Sequence, residues 1–379
     1  MSVRPKVLIN ALSARDGGGQ TYLLNLIKYY NRKDLDVIFL LSEGSKFEIK
    51  NRDFKIHRVY SAASNPIFRS IWEFLFLPRL LYKMKIDVFF CPGGVVPKLL
   101  FHRCKIVTMF RNMIPFDEVQ RKKYPFGFMR LRNWILSKVF LDSMGRSDLV
   151  IFISKFAKSV IQNKLKKPLK SSLLISHGVD FKEKDSDSYK IEALSDDEDF
   201  ILYPSTIDVY KSQLEVVEAY SIALSKGLDL PKLLMAGSIQ ESNIGYSREV
   251  KNLIDSKNLS DRIILSGKVP YESMPNLYRN CNFVIYASKT ENCPNILLEA
   301  LSSGCLVLCS NIQPMPEFGE DAVIYFNPED PADLALNIEK IFTDGFNRKL
   351  IKEKIPAVIS KYSWKETADR TWRSLYELT

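Results

Sequence analysis

Residues 283–310 read FVIYASKTENCPNILLEALSSGCLVLCS. Phe283 to Tyr286 is an apolar run of strand length, and Leu306 to Cys309 is a second. Between them lie a polar loop, Pro294 where a first helical turn tolerates proline, an apolar-periodic segment, and Gly304 where a helix ends. Strand, loop, helix and strand make one unit of a parallel sheet, because parallel neighbours need a long crossover and a helix usually supplies it. The same rhythm extends outward. Upstream come Phe200 to Tyr203, Lys232 to Ala236 and Arg262 to Ser266, and downstream comes Ala322 to Phe326. The first half repeats it with Lys6 to Leu12, Val37 to Leu41, Val88 to Cys91, Lys105 to Phe110 and Leu149 to Ile153. Alternating strands and helices predict an α/β protein of two doubly wound, Rossmann-like domains.

A chain of 379 residues suits two domains. The polar, acidic stretch from Glu183 to Asp199 reads as the linker region, and Tyr362 to Leu378 as an amphipathic helix carrying Trp364, Trp372, Leu375 and Tyr376. Hydrophobic residues at 46% and charged residues at 26% are globular values, which excludes a disordered or fibrous chain. The longest apolar stretch, Ile71 to Leu81, is broken by Glu73, Pro78 and Arg79, so no membrane-spanning segment is expected. Val7-Leu8-Ile9 is too short for a signal segment and fits a buried strand, which predicts a cytoplasmic protein. Six cysteines form no CxxC pair and three histidines no zinc pattern, so free thiols and no metal are expected.

The net charge of +10 hides an asymmetry. Residues 1–170 hold 32 Lys and Arg against 12 Asp and Glu, while residues 171–379 hold 22 against 32. The basic half is expected to face something anionic. No nucleic-acid module accompanies the charge, so nucleic acid is set aside as a partner. From Phe126 to Phe140 aromatic and aliphatic residues interleave with Arg130, Arg132 and Lys138. On a helix Arg130, Asn133, Ser137 and Lys138 share one face while Leu131, Trp134, Ile135 and Val139 turn away. That pattern suits either an interfacial helix or a domain helix with its apolar face in the core. Together with Arg121, Lys122 and Lys123 it makes an anionic membrane surface a candidate partner.

Two doubly wound domains leave a central cleft, and ligands of such sheets bind outside the carboxyl ends of the strands. The turns after strands are therefore where chemistry is expected. The first is Asp16-Gly17-Gly18-Gly19-Gln20, before the helical segment Thr21 to Tyr30. Its glycines expose backbone amides at a helix N-terminus, where a phosphate is favoured, although the spacing is not that of a nicotinamide-cofactor turn. The strongest is the quoted stretch. Glu291 lies in the loop and Glu299 on the helix that follows, with a free helix N-terminus between them at Asn292, Cys293, Pro294 and Asn295. Amides suit phosphates, and two carboxylates suit sugar hydroxyls. Asp185-Ser186-Asp187 has the form of an Asp-x-Asp metal motif but lies in the acidic linker, and a Gly-x-Ser-x-Gly hydrolase motif is absent. His57 and His102 read as surface residues, and His177 sits at the crossing into the second domain.

With these residues on the page, the chain resembles the retaining glycosyltransferases of family 4 (group 1), built on the two-domain GT-B fold. The resemblance is carried by Glu291 to Glu299 with Leu298-Glu299-Ala300-Leu301 and Gly304, then Cys305-Leu306-Val307-Leu308 and Pro316-Glu317. Gly17-Gly18, Ser147-Asp148-Leu149-Val150 with Ser154, His177-Gly178-Val179-Asp180, Tyr203 to Lys211 with Glu218-Ala219, and Gly267-Lys268-Val269 follow in the family's order. It implies an N-terminal acceptor-binding domain over 1–178, a nucleotide-sugar-binding domain over 179–360, and a C-terminal helix over 361–379 returning to the first domain. It also implies transfer of a sugar from a nucleotide-sugar donor to an acceptor hydroxyl with retention, without cofactor or metal. Lys211, Gly17, Gly18 and the helix near Pro294 would hold the donor diphosphate, Glu299 the ribose, and Glu291 the donor sugar.

Two departures shape the expectation further. Relatives carry an arginine shortly before the lysine matched by Lys211, whereas Ser205-Thr206-Ile207-Asp208 has none, which leaves Lys211 to carry that charge with backbone amides. Many relatives have His-Asp where Arg111-Asn112 stands here. Arginine is no base at physiological pH but binds phosphate, so Arg111 and Asn112 point to an anionic acceptor carrier. The expected acceptor is a lipid-linked sugar diphosphate, the setting bacterial surface polysaccharide assembly, and the location the inner face of the membrane. The competing readings are a nucleotide-sugar epimerase or hydrolase on the same scaffold and a non-catalytic nucleotide-sugar-binding protein. Transfer to an added acceptor separates them.

Overall fold

The computed structural model describes residues 4–14, 18–43, 49, 53–59, 66–98, 103–123, 127–180, 191, 194–195, 198–343 and 345–379. Gly17, His102 and Asp185-Ser186-Asp187 lie outside the described residues. The chain divides into two compact units, Met1–Phe116 with Phe126–Gly178 and Tyr362–Thr379, and Asp117–Pro125 with Val179–Lys361.

The first unit runs β1 (Lys6–Asn10), α1 (Gly18–Lys28), β2 (Asp36–Ser42), β3 (Phe54–Val59), α2 (Pro66–Leu75), α3 (Leu77–Met84), β4 (Val88–Cys91) and β5 (Lys105–Phe110). After α4 (Glu118–Lys123), which groups with the second unit, it continues with α5 (Phe128–Arg146), β6 (Leu149–Phe152), α6 (Lys155–Lys164) and β7 (Ser172–Leu174). All seven strands are parallel, in the order β3-β2-β1-β4-β5-β6-β7, with Val7 opposite both Val37 and Val88. The central strands are buried along their length because helices cover both faces, which is why they read as unbroken apolar runs. Leu8, Phe89, Cys91 and Ile106 pack with Leu77 and Leu81 of α3. Phe110, Val150 and Phe152 pack with Phe140 and Met144 of α5 and Ala157 of α6. Ile106 and Phe110 are four apart on β5, so α3, α5 and α6 cover the same face.

The second unit runs β8 (Phe200–Pro204), α7 (Gln213–Ser225), β9 (Lys232–Ala236), α8 (Ile244–Ser256), β10 (Ile263–Gly267), α9 (Met274–Asn280), β11 (Val284–Tyr286), α10 (Asn295–Ser302), β12 (Val307–Ser310), α11 (Met315–Gly319), β13 (Ile324–Phe326), α12 (Pro331–Phe342), α13 (Arg348–Lys352) and α14 (Ile355–Ile359). Its six parallel strands take the order β10-β9-β8-β11-β12-β13 around a core that includes Tyr203, Val216, Tyr220, Ile285 and Leu308. The final helix, α15 (Trp364–Tyr376), belongs to the first unit. There Trp372 Nε1 donates to the Leu26 carbonyl at 3.0 Å and Thr367 Oγ1 to the Ser176 carbonyl at 2.7 Å. A side chain on Gly178 would meet the Trp364 amide nitrogen at 2.0 Å, so only glycine admits the helix this close.

Three expectations need correction. The first domain is not continuous over 1–178, because Thr290 Oγ1 donates to Asp117 Oδ2 at 2.5 Å and the segment 117–125 groups with the second unit. The basic stretch is thereby split, with Arg121 and Lys122 on α4 in one unit and Arg130, Arg132 and Lys138 on α5 in the other. The domain-helix alternative for α5, with Leu131, Trp134 and Ile135 in the core, does not hold, since Asn133 and Ser137 are buried while Leu131, Trp134 and Ile135 are exposed. The inward serines are satisfied by backbone, Ser137 donating to the Trp134 carbonyl and Ser143 accepting from the Val96 amide, so a narrow polar face docks on the sheet. Among the described residues no helix is long and apolar enough to cross a membrane.

Candidate active site

In the second unit β8 is the first strand in sequence and lies in the middle of the sheet. The chain passes from it to β9 on one side, and later enters β11 on the other. Strand order therefore reverses between β8 and β11, and the loops beyond their carboxyl ends flank the crevice where doubly wound sheets bind ligands. The loop after β8 closes in a 3-10 turn, Val209–Lys211, and Ser212 takes a left-handed conformation (φ 62°) before α7 begins. The loop after β11 carries residues 287–294 into α10.

These two loops are cross-tied by two ion pairs. Lys211 Nζ lies 2.5 Å from Glu291 Oε1, which also accepts from Ser288 Oγ at 2.8 Å. Lys289 Nζ lies 2.5 Å from Glu215 Oε1 on α7, and its amide donates to the Tyr210 carbonyl at 2.8 Å. Both lysines are buried. On a continuous helix Lys211 and Glu215 would pair with each other at this four-residue spacing. The left-handed Ser212 breaks the helix between them, and each pairs across the crevice instead. Tyr203 donates to the Lys211 carbonyl, and the rings of Tyr210 and Tyr286 lie 5.0 and 5.4 Å from its ammonium. Burial raises the pKa of Tyr210 and Tyr286, and the nearby Glu291 carboxylate raises them further, so both stay neutral hydrogen-bonding groups.

Glu299 sits in the second turn of α10. Its Oε1 accepts from Tyr271 at 2.9 Å and its Oε2 from Tyr278 at 3.5 Å. Burial pushes its pKa up to about 7, against the lowering effect of the two phenols. Asn292, Cys293 and Pro294 are buried, Pro294 caps α10, and Asn295 is its first residue. Gly304 follows the helix with φ 74°, as the end of α10 requires. Asn243 Nδ2 donates to the Ile207 carbonyl and to Asp208 Oδ2 at 3.1 and 2.8 Å, so an amide braces the loop after β8.

In the first unit Gly18 opens α1, and a side chain on Gly19 would meet Arg111 Nη1 at 3.3 Å. Arg111 thus stands beside the α1 N-terminus, while Asn112 Oδ1 accepts from the Ile114 amide and shapes the turn after β5. His177 is stacked between Tyr22 and Trp364, with ring centroids 5.6 and 5.3 Å away, which assigns it to packing. Lys289, Glu215, Tyr271 and Tyr278 were not singled out from sequence. Lys289 lies inside the motif, but its partner follows from strand order rather than spacing.

The family described as Glycosyl transferases group 1 matches residues 164–357, and Glycosyltransferase Family 4 matches residues 16–183. The chain is 27% identical over 273 residues to the serotype-specific mannosyltransferase WbdA of Escherichia coli, covering 70% of this chain and 32% of that protein. It therefore spans about a third of that relative's length. It is 23% identical over 368 residues to the N-acetylgalactosamine-N,N'-diacetylbacillosaminyl-diphospho-undecaprenol 4-alpha-N-acetylgalactosaminyltransferase of Campylobacter jejuni, covering 92% and 93% of the two chains. Among solved structures it is similar to Anabaena HepE in complex with UDP and glucose, with a TM-score of 0.75, 16% identity, and 98% and 100% coverage. That likeness shows the fold. With its parallel sheets, its Glu291-to-Glu299 block and the family match over residues 164–357, the chain belongs to the group 1, family 4 glycosyltransferases of GT-B fold.

Proposed function

We propose that this chain transfers a sugar from a nucleotide-sugar donor to a hydroxyl of a lipid-linked acceptor, with retention at the anomeric carbon. The observation that carries this reading is the Lys211–Glu291 pair at the β8–β11 reversal, with Glu299 one helix turn into α10. Lys211 has three N–H bonds and spends one on Glu291, so two remain for the departing diphosphate. The α10 N-terminus adds backbone amides. Glu291 holds a donor-sugar hydroxyl and balances the positive charge that develops at the anomeric carbon. Glu299 accepts the ribose hydroxyls in place of the Tyr271 and Tyr278 phenols.

A lysine and amides neutralise the diphosphate in this scheme, so activity is expected to survive a chelator. A fall in a chelator that magnesium or manganese restores would contradict it. The HepE complex supports a nucleotide-sugar donor, and the diphospho-undecaprenol in the Campylobacter enzyme's name supports a lipid-linked acceptor. The O-antigen chain mannosyltransferase B of Escherichia coli and the capsular polysaccharide biosynthesis glycosyltransferase CapM of Staphylococcus aureus, by their names, support assembly of a surface polysaccharide. The test is nucleotide release from a panel of nucleotide sugars with and without an undecaprenyl-diphosphate-linked sugar. Release that requires the acceptor, with a lengthened lipid-linked product, is expected. Release without it would mark a hydrolase, and binding with no release a non-catalytic protein.

A further inference from the structure

The chain leaves the first unit after Phe116 and rejoins it at Phe126, and the segment between, 117–125, groups with the second unit. Its helix α4 has the sequence EVQRKK, and Val119, the one apolar residue in it, is 62% exposed. Burial of apolar surface by α4 therefore does not explain the excursion. What the segment brings to the second unit is a carboxylate.

Asp117 uses both of its oxygens. Oδ1 accepts from the Gln120 amide at 3.0 Å and so caps α4, while Oδ2 accepts from Thr290 Oγ1 at 2.5 Å, across 173 residues of sequence. Thr290 is 5% exposed and directly precedes Glu291 in the loop after β11. From there the contacts run on to the reaction centre. Ser288 Oγ lies 3.5 Å from the Thr290 carbonyl and donates to Glu291 Oε1 at 2.8 Å, and that oxygen is 2.5 Å from Lys211 Nζ.

Lys211 and Ser288 hold the Glu291 carboxylate, but neither fixes the backbone that carries it. Ser288 belongs to the same loop and would move with it. Lys289 ties that loop to the β8 side, through the Tyr210 carbonyl and Glu215. Thr290 ties it to α4, by a hydrogen bond to an ionised group, which is roughly twice as strong as one between neutral groups. We infer that Asp117 is a positioning residue for the transfer reaction, setting through Thr290 where the Glu291 carboxylate stands against the donor sugar. This rests on the proposed role of Glu291 and gives the segment 117–125 a part in the same chemistry. A displacement of about 1 Å at a reacting group can cost about 10²-fold in rate, so a bond one residue away from Glu291 is enough to matter.

The experiment measures steady-state transfer by the full chain from the nucleotide sugar to the lipid-linked acceptor, with Glu291→Gln run alongside. Thr290→Val removes the hydroxyl and leaves the α4 cap in place. Asp117→Ser keeps a capping oxygen but is too short to reach Thr290. Each is expected to lower kcat of the folded enzyme about tenfold, with donor KM held within about twofold. Because both break the same bond, the double variant should lose no more than either single one. Thr290→Ser keeps the hydroxyl, and Asp117→Asn can donate its amide to that hydroxyl, so both should recover most of kcat. Full kcat in Thr290→Val and Asp117→Ser beside an impaired Glu291→Gln would overturn the inference, even if their thermal midpoints fall, because the bond would then serve stability alone. Additive losses in the double variant, or no recovery in either conservative variant, would overturn it as well. Full kcat in Glu291→Gln would break the proposed role of Glu291 and take this inference with it.

Discussion

The crevice beyond β8 and β11 and the outer face of α2 and α5 place polarity in opposite ways. At the crevice, charged side chains turn inward and pair across two loops, Lys211 with Glu291 and Lys289 with Glu215. On α2 and α5 apolar side chains turn outward and a few polar ones face the sheet. Desolvating two ion pairs in one small region gains little stability and often loses some, so the pairs are better explained by the chemistry they hold in place. Exposed phenylalanine and tryptophan also gain nothing for the isolated fold. Each region departs from the rule for its setting.

The largest expected effect is at the crevice. Lys211→Ala removes the ammonium and strands the part-buried Glu291 carboxylate, so kcat/KM of the folded enzyme is expected to fall roughly 10³-fold and the thermal midpoint to drop as well. A fall below tenfold would reduce Lys211 to a structural residue and erase the contrast. Lys289→Met leaves the reacting groups in place and loosens the loop that carries Glu291. A roughly 10- to 100-fold loss in kcat at nearly constant donor KM is expected, partly rescued by Lys289→Arg. Loss of stability alone, with the remaining folded enzyme fully active, would make this pair structural only.

How far the two regions were legible in advance follows the same physics. Eleven strands were readable as continuous apolar runs, most of them because they are buried on both faces. The two that were missed are the edges of the first unit's sheet. β3 alternates buried and exposed positions over Phe54–Val59, and β7 is three residues long, so neither makes such a run. Lys211, Glu291 and Glu299 were named through the resemblance, and the structure brings Lys211 and Glu291 together. Glu215, Tyr271 and Tyr278 were not, because their partners depend on which strands are neighbours. The direction α5 faces was not legible either, since its small polar residues bond to backbone groups that no spacing reveals.

A smaller, sharper test concerns Glu299. Burial favours its protonated form, so the folded state holds the proton up to about pH 7, where the unfolded chain releases it near 4.5. The carboxyl therefore lowers stability progressively as pH rises between those values, with the full cost present above 7. Without donor, Glu299→Gln is expected to melt above the parent at pH 8 and with it near pH 4.5. The ionised carboxylate is the better acceptor for hydroxyls, so donor KM in the parent should fall severalfold from pH 6 to pH 8 and stay flat in Glu299→Gln. A pH-independent donor KM in the parent would move the ribose elsewhere.

The most direct test of the central claim compares Glu291→Gln with Glu299→Gln in steady-state transfer to one lipid-linked acceptor, with donor and acceptor varied separately. Only Glu291 is proposed to stand where charge develops in the transition state, whereas Glu299 binds a part of the donor that does not react. The account predicts a kcat loss of roughly 10²-fold or more with little change in donor KM for Glu291→Gln, and a raised donor KM with kcat nearly intact for Glu299→Gln. Equal, small effects on both parameters in both variants would contradict it.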